Sequence, residues 1–176
     1  MTASPAGRLR LRHDTVPEDI LPLRNILAST GVFFPFEIDV AIELLEDRLD
    51  HGEDSPYSFI FCDLDGRTAG YICFGPICMT DHRFDLYWLA VEKGCQGTGI
   101  GKLLLASAER SARDVGGVSM YVETSGRKDY EKTRRFYEKQ GYRTVARIED
   151  FYRDGDDKII MMKELARRKS HVSDFA

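Results

Sequence analysis

A chain of 176 residues suits one domain around a single core. Its 43% apolar and 31% charged residues exclude an extended disordered polymer, and no apolar run approaches the ~20 residues of a membrane helix. A formal net charge of -4 offers no basic excess to nucleic acid and suits a cationic or amine partner better.

Residues 1–7 are small and polar, without the charged-then-apolar layout of a secretory signal, so a flexible start and a cytoplasmic location are expected. Arg8 to Arg12 alternates as a short strand. Thr15 and Glu18 have the spacing of a capping box, with Pro17 in the first turn and Ile20, Leu23, Leu27 and Ala28 at helical spacing up to Gly31. Pro22 inside that span predicts a kink or a later start. A second helix carries Ile38, Ala41, Ile42, Leu45 and Leu49 and ends at His51-Gly52.

From Tyr57 the period becomes two. Tyr57 to Asp63 and Arg67 to Phe74 read as a hairpin around Asp63-Leu64-Asp65-Gly66, and Phe84 to Glu92 as a third strand. Ile100, Leu103, Leu104, Ala108, Ser111, Ala112 and Val115 then line a helix that ends at Gly116-Gly117. Val118 to Thr124 is a strand, Tyr130 to Gln140 a helix closed by Gly141, and Arg143 to Tyr152 and Lys158 to Lys163 flank the turn Asp154-Gly155-Asp156-Asp157. The expected fold is α/β: a single mixed, mostly antiparallel central sheet of about seven strands with helices on both faces, over residues 8–164. A solvated tail, 165–176, carries the basic run Arg167-Arg168-Lys169.

Cys62, Cys73, Cys78 and Cys95 form no C-x-x-C pair, and the four histidines never stand four apart, so no metal site is expected. The strongest chemical signal is Gln96-Gly97-Thr98-Gly99-Ile100-Gly101-Lys102, which runs from a strand into an amphipathic helix. Unpaired amides at a helix N-terminus, together with the helix dipole, attract phosphate oxygens, and glycines let the backbone approach closely. The segment fits neither G-x-x-x-x-G-K-[ST], because Leu103 follows Lys102, nor G-x-G-x-x-G, whose last position falls on Lys102.

That segment resembles the Q/R-x-x-G-x-G/A motif of the GNAT superfamily of N-acetyltransferases. Phe136-Tyr137-Glu138-Lys139-Gln140-Gly141-Tyr142 independently resembles the block that ends the family's last helix. The resemblance implies transfer of an acetyl group from acetyl-CoA to a primary amine by direct attack in a ternary complex. It implies that the strand Phe84 to Glu92 splays from Val118 to Thr124, that backbone of Leu89, Ala90 and Val91 meets the pantetheine arm, and that amides of Gly97, Thr98, Gly99, Ile100, Gly101 and Lys102 hold the pyrophosphate while Gln96 orders the loop. A backbone N–H near Val91 would face the oxyanion, and Tyr137 would protonate the leaving sulfur.

Glu92, Glu123 and Asp85 are the candidate bases, each also readable as a structural carboxylate, and Cys95 is expected to be inert. Family members often carry Asn and Ala seven and four residues before the tyrosine; here Tyr130 and Thr133 stand there, which leaves Arg134 or Arg135 as substitute cofactor contacts. The acceptor, a small-molecule amine or a protein amine, is expected between Val32-Phe33-Phe34-Pro35-Phe36 and the final hairpin. Those aromatics read equally as helix packing and the aspartates as an exposed turn. A non-catalytic acetyl-CoA sensor and an acyltransferase with another donor are the alternatives; either a monomer or a homodimer fits the exposed sheet edges.

Overall fold

The computed structural model describes residues 7–165; the ends of the chain, including Arg167-Arg168-Lys169, lie outside the described residues. Strands β1 (Leu9–Arg12), β2 (Ser58–Leu64), β3 (Arg67–Pro76), β4 (Arg83–Val91), β5 (Ser119–Ser125), β6 (Arg143–Arg153) and β7 (Asp156–Glu164) form one sheet, ordered β1-β2-β3-β4-β5-β7-β6. Only β4 and β5 pair in parallel.

Helices α1 (Ile20–Thr30) and α2 (Pro35–His51) cover one face, burying Leu23, Leu27, Ile42 and Leu45 against Phe59, Phe61, Tyr71 and Cys73. On the other face α3 (Ile100–Asp114) and α4 (Glu131–Lys139) bury Ile100, Leu104, Leu105, Ala108 and Tyr137 against Ile60, Ile72, Leu86, Met120 and Met161. The expected architecture is therefore the one found. Burial of these apolar faces is the main favourable term holding both layers.

Several local expectations change. The first helix is not capped by Thr15 and Glu18: Asp19, 3% exposed, accepts the Val16 N–H at 2.9 Å and is paired with Arg12 at 2.6 Å. Pro22 is the third residue of α1, where a backbone donor would have no intrahelical acceptor, so it fits without a kink. On α3 the buried face is rotated: Leu105 and Ser107 are inside, whereas Leu103 and Val115 are 37% and 65% exposed. Leu165, expected to open the tail, is buried and donates its N–H to Val118 at 2.9 Å.

Two irregularities position the site. In β4, Cys73 pairs with Trp88 and Phe74 with Leu86, so Tyr87 is an extra residue. A one-residue bulge reverses which alternate side chains face each side. Before it Phe84 and Leu86 join the α3/α4 core; after it Leu89 and Val91 do, while Trp88 and Ala90 turn to α1/α2. In the β6–β7 hairpin, Ile148 pairs with Lys158 and Arg153 with Asp156, so residues 149–152 stand opposite the single residue Asp157. Asp157 and Asp150 hold that wide bulge: Asp157 accepts the Asp150 N–H at 3.0 Å, and Asp150 accepts the Gly155 N–H at 2.7 Å. Asp156 and Asp157, expected in an exposed turn, are strand residues only 3% and 8% exposed.

Candidate active site

The β4–β5 pairing runs only from Arg83 opposite Ser119 to Leu86 opposite Val122, and beyond the Tyr87 bulge the two strands have no paired residues. The free edge of β4 can be oriented from its other side. Glu92 donates its N–H to Ala69 of β3 at 2.9 Å, and since alternate residues of a strand bond to the same neighbour, the main-chain groups of Leu89 and Val91 face the opening while those of Ala90 face β3. The Val91 carbonyl is met there by the Gln96 side chain, whose Nε2 donates at 3.1 Å. Gln96 thereby ties the glycine loop to the end of the splayed strand.

Gly97 and Gly99 have φ of +81° and +94°, a region that a side chain resists, and Gly99 is the N-cap of α3. The first bond of α3 runs from the Leu103 N–H to the Gly99 carbonyl at 3.0 Å, so the amides of Ile100, Gly101 and Lys102 precede it and have no helical acceptor. Thr98 donates its hydroxyl to Cys95 at 2.6 Å, and the Ile100 side chain is buried in the core. A crevice of about 480 Å³ follows this loop, lined by Val91, Gln96, Gly97, Gly99, Gly101 and Lys102 and, from α4, by Lys132, Phe136 and Gln140. Two lysines and the unpaired amides give it the chemistry that suits an anion. Lys132 and Gln140 are not legible from the motif; the way α4 lies along the crevice is what brings them in.

A second cavity, of about 440 Å³, opens on the other side of the splay. The two cavities share Leu89, Thr133 and Tyr137 in their walls. Tyr137 is 4% exposed and packs edge-to-face on Phe136 and Tyr142 at 5.3 and 5.5 Å, and burial pushes its phenol well above the ordinary value of about 10. It is therefore a neutral O–H donor at the junction across the whole physiological pH range.

The candidate carboxylates separate. Glu123 lines the second cavity and is paired with Lys158 at 2.7 Å. Glu92 lines neither: Arg67 binds it at 2.7 Å, which lowers its pKa, and the Cys95 thiol donates to it at 3.4 Å. Burial first, then the neighbouring Glu123, raises the pKa of Asp85. Burial likewise raises the Cys95 thiol, away from the thiolate a nucleophile needs. Arg134, expected near the cofactor, instead gives its guanidinium to the carbonyls of Ser125 and Arg127 at 2.6 and 3.0 Å, and Arg135 pairs with Glu131 at 2.5 Å.

The second cavity is walled by Phe33, Phe34 and Phe36 from the α1–α2 junction, by Tyr152 from the wide bulge of β6 and by Arg153 next to it, with Trp88 and Tyr130 between. Phe33 both lines the cavity and packs on Trp88 at 5.3 Å, so helix packing and site formation are one feature. Among the described residues no cluster could hold a metal ion, and no helix is long and apolar enough to cross a membrane.

Residues 23–142 match the family model described as the acetyltransferase (GNAT) family. The chain is 33% identical over 114 residues to an uncharacterized N-acetyltransferase of Methanocaldococcus jannaschii, covering 65% of this chain and 70% of that one. It is 34% identical over 110 residues to the blasticidin-S acetyltransferase of Streptomyces morookaense, covering 62% and 75%. A crystal structure described as a GNAT-family acetyltransferase from Desulfovibrio desulfuricans superposes with a TM-score of 0.88 at 43% identity, covering 90% of this chain and 100% of that one. With the splayed strands and the glycine loop, these matches establish that the chain belongs to the GNAT family of acetyltransferases and is an acyltransferase enzyme.

Proposed function

We propose that this enzyme moves an acetyl group from acetyl-CoA to a primary amine by direct attack within a ternary complex. The observation that carries the reading is the pair of cavities on opposite sides of the β4–β5 opening, with Tyr137 in the wall of both. On the loop side, the unpaired amides of Ile100, Gly101 and Lys102 and the lysines Lys102 and Lys132 suit a pyrophosphate, and the free edge at Leu89 and Val91 suits the amide-bearing pantetheine arm. The Val91 N–H faces the same opening and is the donor for the developing oxyanion.

In the step itself the amine nitrogen forms a bond to the acyl carbon, the carbon–sulfur bond breaks, and the sulfur takes the Tyr137 proton. The nitrogen sheds its extra proton on the acceptor side, where Glu123 is the candidate base that lines the cavity. Glu92, which lines neither cavity, lies outside that role. The reading is tested by following thiol release from acetyl-CoA across a broad panel of amines: an amine-dependent thiol is expected, and cofactor binding without any release would turn the protein into a sensor.

A further inference from the structure

The acceptor-side cavity has a charge pattern of its own. Glu37, Glu123, Asp156, Arg127 and Arg153 line it. All three carboxylates are engaged: Glu37 accepts the Phe34 N–H at 2.7 Å, Glu123 binds Lys158 at 2.7 Å, and Asp156 accepts the Ser125 hydroxyl at 2.5 Å. The guanidiniums are not matched in the same way. Nε of Arg127 and Nε of Arg153 each stand 3.8 Å from Asp156, beyond hydrogen-bond reach, and the buried Arg127 Nε has no hydrogen-bond partner. Arg127 has one further ionic neighbour, Asp129 at 3.3 Å, whose side chain is 55% exposed. Both guanidiniums lie over the Phe34 ring, at 5.5 and 4.7 Å, so two cations from separate elements converge on one wall around a single buried carboxylate.

We propose that this cavity selects an acceptor that carries its own carboxylate: a small, amino-acid-like amine with an apolar or aromatic body. The proposal deepens, and rests on, the reading of the cavity as the amine site. A carboxylate supplies the acceptor that the Arg127 Nε lacks and a second anionic partner for the half-exposed Arg153, in the planar geometry guanidiniums favour. Phe33, Trp88, Tyr130 and Tyr152 supply the apolar wall for the body. Leu89 and Tyr137, shared with the cofactor crevice, mark the end at which the amino group is acetylated. A polyamine or aminoglycoside would meet two like charges and find the lining carboxylates already bonded.

The test pairs each of a set of free amino acids with its carboxamide and its decarboxylated amine, alongside spermidine, kanamycin, blasticidin S and a tripeptide with a free N-terminus. Thiol release gives kcat/KM, and calorimetry with coenzyme A present gives binding. The expected result is an acid preferred at least about 10-fold over its own amide, with Arg153→Gln bringing that ratio close to parity and Arg153→Lys restoring part of it. Carboxylate-dependent binding without turnover leaves this proposal standing and removes the catalytic one. Amides used as well as acids, or a preference for polycations or for the tripeptide, overturns it, as does an Arg153→Gln protein that keeps the ratio.

Discussion

Tyr137→Phe isolates chemistry from architecture. The substitution removes one oxygen and keeps the ring, so the edge-to-face contacts with Phe136 and Tyr142 at 5.3 and 5.5 Å survive, and stability is expected to change by no more than about 1 kcal/mol. The glycine-loop amides are untouched, so acetyl-CoA binding is expected within about 2-fold of the parent. Loss of the acid leaves the thiolate to depart unprotonated, for which a fall in kcat of about 10² to 10⁴ is expected, some 3 to 5 kcal/mol at 1.36 kcal/mol per decade. Steady-state thiol release with the best amine, beside thermal unfolding and acetyl-CoA titration of the same preparations, separates the three quantities. A variant that folds, binds and turns over like the parent would refute the assignment of Tyr137 as the acid.

Gly99→Ala meets nothing within 4 Å of the added carbon, so its whole cost comes from φ at +94°, about 1 to 2 kcal/mol. Relaxation of the cap is expected to raise the KM for acetyl-CoA about 5-fold or more with a smaller effect on the KM of the amine, as measured by varying each substrate. Arg134→Met strips two carbonyls of a charged donor, so thermal or denaturant unfolding is expected to show a loss of about 1.5 to 3 kcal/mol, with the acetyl-CoA KM held within about 2-fold. A large KM effect with unchanged stability would instead return that arginine to the cofactor. Asp157 has its pKa lowered, first by the Asp150 N–H and then by Arg147, so the stability it confers is present above the unfolded value of about 3.9 and is lost as the pH falls through the depressed one. The gap in Tm between the parent and Asp157→Asn is therefore expected to narrow below about pH 4.

The elements that hold the fold were legible because their apolar periods are strong: the α2 stripe, the β2 and β3 runs and the α3 helix behind the glycine loop all stand where the spacing puts them. What escaped depended on contacts distant in sequence. Lys132 and Gln140 line the anion crevice through the way α4 lies across it, and Arg134 turned to main-chain carbonyls that only the β5–α4 junction brings within reach. The bulge at Tyr87 left no mark that alternation could show, since an inserted residue in an apolar strand reads as more strand. The run Asp154-Gly155-Asp156-Asp157 reads as a four-residue turn, yet two of its aspartates are drawn inward because Ser125 and the Asp150 N–H bond them.

The short parallel seam between β4 and β5 has a mechanical consequence. Four residue pairs, Arg83–Leu86 against Ser119–Val122, join a four-stranded and a three-stranded half of the sheet, whereas β5 and β7 are stitched along seven. Beyond that seam the wedge holds no strand pairing and the two halves meet through the core under α3 and α4, so any guest that bonds β4 while touching α4 is a cross-brace. Occupancy of the crevice and stiffness of the whole molecule become one variable, so amide exchange along β4 and β5 should slow together when the wedge is filled.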